Sequence, residues 1–231
     1  MARLVLYRAI ASPCARAVLM LGDILQLPLE CREVNLLKGE HKSQEYKKIN
    51  PMGTVPVLQD GDFILSESHA IMKYLLASYG GEHRERLYPS EHKERALVDQ
   101  ALFFNAGFLF PRMGFLLVLP RHCTLIAGAP QPPPEKLAIL DEAYAAVDAY
   151  LQRCRFIAAD HLTLGLLAVG STATATLLLK ELDRDRYPRF ADWIQELEEL
   201  PIFKNINAEG LTYLKKFWYR ALEMQKLKQQ S

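Results

Sequence analysis

Cysteine is scarce and scattered in this 231-residue chain: there are four, Cys14, Cys31, Cys123 and Cys154. No two form a C-x-x-C pair, which argues against a disulfide frame or a zinc site and for reduced thiols in a cytoplasmic setting. Charge of one sign is equally lacking. Lys and Arg number 28 against 27 Asp and Glu, a formal net charge of +1. The concentrated basic surface of a nucleic-acid binder is absent, and no nucleic-acid partner is expected. No apolar run reaches the roughly eighteen residues that a membrane-crossing helix needs. The opening MARLVLYRAIASP lacks the long apolar core of a signal peptide. What the chain does have is 50% hydrophobic and 24% charged residues, and length enough for one large or two modest domains with a sizeable core.

The most informative stretch runs from Asn50 to Leu75, NPMGTVPVLQDGDFILSESHAIMKYL. Apolar runs Thr54–Leu58 and Phe63–Leu65 flank Gln-Asp-Gly-Asp, and Asp60-Gly61 is a hairpin signal because Gly supplies positive φ freely. Ala70, Ile71, Tyr74 and Leu75 then recur at helical spacing, so a helix opens near Glu67-Ser68. A helix start has unpaired N–H groups and a positive dipole end, which together suit a carboxylate or phosphate, and Ser68 adds a hydroxyl. Pro56 lies inside the first run, where proline is confined to an edge or a bulge. An ordinary trans edge proline and a cis bond that turns the Val55 backbone outward are both compatible with the pattern.

The ordered segment NP-x-x-TVPVL, DGD, SESHAI-x-x-YL resembles the glutathione-binding segment of cytosolic glutathione transferases. The resemblance implies a cis proline at Pro56, a backbone pairing of Val55 with the tripeptide, and a γ-glutamyl end held by Glu67 and Ser68. Thr54 and His69 fall in the same segment, and Ser-His-Ala-Ile points to the insect delta, epsilon and theta neighbourhood. His41, in Lys-Gly-Glu-His, resembles a histidine that approaches the glycine end of glutathione. Gly53 stands where delta and epsilon members usually have His, so Gly53→His is expected to lower the glutathione KM.

The preceding residues fit a β-α-β-α-β-β-α order, the thioredoxin-like domain that the family implies, over residues 1–80. Leu4–Tyr7 and Leu29–Val34 read as strands, and a helix follows Pro13. Ser12, placed directly before that helix, is the candidate catalytic residue. A free thiol has a pKa of about 8.5, and a hydroxyl donor at a helix start favours its anion. Ser12 read without context is simply an N-cap; beside the glutathione motif it matches the serine-type thiolate donor. Cys14 supports a rival, the glutathione-dependent thiol transferase, although Pro13 precedes it where the usual order is Cys-Pro. Tyr7 is a weaker rival donor.

Polar, Gly-bearing residues Gly80–Pro89 mark a linker. An all-helical domain is expected over 91–222, starting with one long helix from Glu91 to about Leu119. FNAGFLFPRMGF resembles the epsilon-class pattern in which aromatics wall an electrophile pocket and an Arg reaches the cleft between domains. The implied pocket residues are Ile10, Ala11, Phe108, Pro111, Phe115 and Leu119, and Arg112 is the implied cleft residue toward glutathione. Pro111 removes a helix hydrogen bond and predicts a kink. Cys123–Pro134 reads as a loop, and Glu135–Leu151 and Leu164–Glu181 as helices. The family's buried capping box is Thr163-Leu-Gly-Leu166 here, so Leu166→Asp is expected to raise the melting temperature.

The implied protein is an α/β thioredoxin-like domain joined to an all-α domain: an epsilon-type glutathione transferase conjugating hydrophobic electrophiles in detoxification, as in insecticide resistance. Glutathione is the co-substrate, no metal is expected, and the partner is a second copy in a homodimer. A non-catalytic carrier of hydrophobic ligands is the alternative outside enzymology.

Overall fold

The computed structural model describes residues 3–36, 38–117, 134–216 and 219. Its N-terminal part is built on four strands, β1 (Leu4–Arg8), β2 (Glu30–Glu33), β3 (Val57–Asp60) and β4 (Phe63–Ser66). They lie in the order β2-β1-β3-β4, with β1 and β2 parallel and the other pairs antiparallel. A parallel pair needs a crossover, and α1 (Pro13–Ile24) provides it. The β3–β4 turn is Gly61-Asp62, with Gly61 at φ 59°. Side chains alternate across the sheet. Leu4, Leu6 and Leu58 face the main core with α1 and α3 (Ser68–Tyr79). Tyr7, Val34 and Val57 meet Tyr46 of α2 (Gln44–Ile49) on the other face. The apolar pattern extends β3 back to Thr54, but the ladder with β1 starts at Val57, since Pro56 has no N–H to donate.

The polar stretch after Tyr79 holds a short helix, α4 (His83–Leu87), anchored by the buried Leu87. The helical part follows: α5 (His92–Phe104), α6 (Phe110–Leu117), α7 (Pro134–Tyr150), α8 (Leu164–Thr176) and α9 (Pro188–Glu199). The chain is helical again over residues 201–216, with a π-helical turn at Phe203–Asn207. The single long helix expected from Glu91 is instead divided by a π-helical turn, Asn105–Leu109. There the Phe110 N–H donates to the Asn105 carbonyl, five residues back. The register thus shifts one residue before Pro111, which has no N–H to continue the ladder. The expected loop lies almost entirely outside the described residues, as does Leu119; Pro134 opens α7.

All of α8 is buried, and α1 and α5 pack against it, so the two parts share one core. Ser171, Thr172, Thr174 and Thr176 each donate to a carbonyl three or four residues earlier, which lets hydroxyls sit in that core. Gly165 is dictated by close approach: a Cβ there would come 2.8 Å from the Ala101 Cβ of α5. Among the described residues no helix is long and apolar enough to cross a membrane, and no cluster of His, Cys, Asp or Glu is placed to hold a metal.

Candidate functional site

Three pieces of the N-terminal part leave polar groups without partners. The first is the start of α1. Pro13 occupies the first helical turn, where its missing N–H is harmless, and Ser12 is the N-cap in extended geometry. The Ser12 hydroxyl accepts from the Ala15 N–H at 3.4 Å. As a hydroxyl it can accept and donate together, and its hydrogen has no acceptor among the described residues. Cys14 follows within α1. Burial pushes its thiol up to about 11, outweighing the Ser68 hydroxyl beside it. The Tyr7 phenol is already engaged with Gln59 Oε1 (3.1 Å) and Arg32 Nη1 (3.0 Å).

The second piece is the loop into β3. The Val55–Pro56 peptide bond is cis. Neither the N–H nor the carbonyl of the half-buried Val55 has a protein partner among the described residues. The loop is fixed from below by Tyr46, which lies outside the motif, and by Asn50, which opens it. The Thr54 carbonyl accepts from Tyr46 Oη (2.9 Å) and Asn50 Nδ2 (3.0 Å), and Asn50 Oδ1 accepts from the Met52 N–H (3.1 Å). Asn50 is buried, and burial pushes the Tyr46 hydroxyl up to about 12. Gly53 has φ +60°, and a Cβ on it would meet the His41 carbonyl at 2.5 Å. This argues against the expectation for Gly53→His, because the glycine answers a backbone requirement. His41, in the single turn Glu40–Lys42, has a buried Nδ1 with no partner among the described residues. Burial and then Lys42 lower its pKa.

The third piece is the start of α3. Glu67 is its N-cap at φ 71°, ψ 107°, and gives no side-chain cap. That left-handed region is unfavourable for a residue with a Cβ, and such strain concentrates at ligand sites. The exposed Glu67 carboxylate and the first N–H groups of the helix are therefore open, with the Ser68 hydroxyl buried among them. Because Ser68 lies against the Cys14 thiol, the starts of α1 and α3 are neighbours. Next to Ser68, burial pushes His69 down to about 4, so its ring is neutral at pH 7. His69 Nε2 lies 3.1 Å from Asn105 Nδ2, within hydrogen-bond distance.

The helical part adds an aromatic wall. Phe104 and Phe108 stack with centroids 5.5 Å apart. The Arg112 guanidinium lies over the Phe108 ring at 3.4 Å, with Nη1 donating to the Phe108 carbonyl and Nη2 paired with Glu142 of α7 at 2.9 Å. Ile10 is buried, Ala11 partly so, and Pro111 is exposed. Phe115 belongs to α6 by its backbone. The structure thus brings Ser68 against Cys14, two residues after Ser12, and it places Arg112 on Phe108 and Glu142.

Residues 6–83 match the family described as glutathione S-transferase, N-terminal domain. The chain is 35% identical to glutathione S-transferase 1 of Manduca sexta over 206 residues, 89% of this chain and 92% of the relative. It is 32% identical to glutathione S-transferase D7 of Anopheles gambiae over 209 residues, with the same coverage of 89% and 92%. Among solved structures, an epsilon-class glutathione S-transferase from the housefly, Musca domestica, superposes with a TM-score of 0.87 at 33% identity, covering 95% of this chain and 98% of that one. A glutathione transferase homolog from Drosophila mojavensis, solved with glutathione bound, gives 0.86 at 33% identity, with 96% and 98% covered.

Proposed function

From the premise that this chain belongs to the glutathione S-transferase family, with insect epsilon- and delta-class relatives, we propose that it is a serine-type enzyme acting on hydrophobic electrophiles. The observation that carries this reading is the unpaired Val55 backbone beside two helix starts that both keep donors free. An extended tripeptide pairs with Val55 as an added strand does. Its γ-glutamyl end takes the α3 N–H groups and Ser68 for its carboxylate and Glu67 for its ammonium. Thr54 and Gly53 lie along its path, and His41 serves the glycine end. His69 stays neutral and steadies the start of α3 through Asn105.

This placement brings the cysteinyl sulfur to Ser12. The thiol loses its proton to solvent, and the Ser12 O–H and the α1 dipole stabilise the sulfur anion, because each interacts with S⁻ more strongly than with SH. The sulfur lone pair then forms a carbon–sulfur bond to the electrophile, and the leaving group departs with its bonding electrons. Much of the rate gain is orientation of two bound reactants. Ile10, Ala11, Phe108 and Pro111 line the apolar pocket. Arg112 serves by holding Phe108 in place. The Cys14 thiol-transfer mechanism has less support, since a thiol at about 11 is almost wholly protonated at neutral pH.

The enzyme works in the cytoplasm as a two-fold dimer, in a detoxification role. Exposed Phe63, Ile64, Leu97 and Phe103, the last 75% exposed, supply apolar surface for a second copy. The function is tested with glutathione and a chlorinated dinitrobenzene. A rate that depends on both reactants is expected. No rate, with hydrophobic dye still bound, establishes the carrier instead.

A further inference from the structure

Arg16 is a fully buried cation whose three hydrogen bonds all go to neutral acceptors. Its Nε donates to Asn207 Oδ1 at 2.8 Å, Nη1 to the Ala11 carbonyl at 2.8 Å and Nη2 to the Ser171 carbonyl at 3.0 Å. No carboxylate pairs with it among the described residues. A buried charge without a counter-ion is expensive, so its retention asks for a reason. The anchors supply one. Ala11 immediately precedes Ser12, whereas Ser171 and Asn207 belong to α8 and to the Phe203–Asn207 turn. Asn207 is itself held, donating to Thr174 Oγ1 at 3.0 Å. Gly210 closes over the assembly, since a Cβ there would come 2.2 Å from Arg16 Cδ and 2.4 Å from the Ile10 carbonyl.

We propose that Arg16 is a positioning residue of the transferase reaction: it ties the turn carrying Ser12 to the helical domain and supplies an uncompensated positive charge close to the sulfur that Ser12 holds. The proposal rests on the reading of Ser12 given above. Other charges around it are few. α8 carries no ionisable side chain. Cys14 is neutral, Glu67 is exposed, and His69 is uncharged at pH 7. Glu33 pairs with Arg8 and Lys204 with Glu199, and Glu209 is exposed.

The test is the thiol pKa of glutathione bound to the enzyme, read from thiolate ultraviolet absorbance across pH. Asn207→Asp keeps the size of the side chain and its acceptor to Arg16 but adds the missing counter-charge. It should raise the bound thiol pKa by about one unit, leaving about tenfold less thiolate below that pKa, with the glutathione KM little changed. Arg16→Gln should move the thiol the same way. Asn207→Ser loosens the packing and keeps the net charge, so it should lower the melting temperature and leave the thiol pKa in place. A depressed wild-type thiol that neither Asn207→Asp nor Arg16→Gln moves overturns this inference alone. A wild type that leaves the thiol at its free value overturns the serine-type reading, and the inference with it.

Discussion

Helices α3 and α8 both begin without a side-chain cap, yet the two defects lie in opposite surroundings. At α3 the N-cap is the exposed Glu67 in a strained backbone, and the open N–H groups point to a surface where a ligand can take them. At α8 the N-cap is the fully buried Thr163, whose Oγ1 has no partner among the described residues. An uncapped helix start is thus a binding device where a ligand can reach it and a plain loss of stability where none can. The helices around them show the ordinary solution: Ser43 closes α2 through the Tyr46 N–H at 3.1 Å, and Glu91 closes α5 through the Glu94 N–H at 2.8 Å.

Several substitutions sharpen or break this contrast. The largest effect is expected at Leu166→Asp. The residue pattern alone makes this change a repaired capping box, but Leu166 is fully buried in the main core. Losing that packing costs about 2–5 kcal/mol, against roughly 1 kcal/mol from a cap. The melting temperature should therefore fall by several degrees, and a rise in a thermal scan would show that the cap outweighs the core. Next is Ser68→Ala, which removes a hydroxyl from the open α3 start. A hydrogen bond to a charged group contributes about 1.5–3 kcal/mol, so the glutathione KM should rise about tenfold or more while thermal stability stays close to wild type. An unchanged KM would mean that the α3 start is as idle as that of α8. Gly53→His should raise the glutathione KM several-fold and lower the melting temperature, because strain at φ +60° and the contact with the His41 carbonyl displace the loop. A lowered KM would reverse that account. The smallest effect belongs to Thr163→Val, which deletes the unpartnered hydroxyl at nearly constant shape. It should leave stability unchanged or add up to about 1 kcal/mol by denaturant unfolding; a clear loss would reveal a hidden partner at α8.

The contrast also separates what the sequence discloses from what it hides. The Asp60-Gly61 hairpin, the helix opening at Ser68 and the Ser12-Pro13 start are local, so turn chemistry and capping residues announce them. The backbone demand at Gly53 is hidden because the residue letter records no φ, and only the folded loop brings the His41 carbonyl against it. Leu166 reads as a capping fault until the core around it is seen. Pro111 announces a break in the long helix, but the chain makes its adjustment one turn earlier, in Asn105–Leu109, where no residue signals it. Arg16 and Asn207 are far apart in the chain and meet only through the packing of α1 on α8. Asn50 and Tyr46, which hold the Thr54 carbonyl, were visible in the chain without any sign of that task.

The central claim is that glutathione thiolate forms at the Ser12 end of this open surface and that Cys14 is a packing residue. The direct measurement is the glutathione conjugation rate of wild type, Ser12→Ala and Cys14→Ala compared at one pH. The account predicts a fall of about a hundredfold or more for Ser12→Ala, the scale of losing one donor to a reacting anion, and a near wild-type rate for Cys14→Ala. A collapse confined to Cys14→Ala would contradict it and give the chemistry to the thiol.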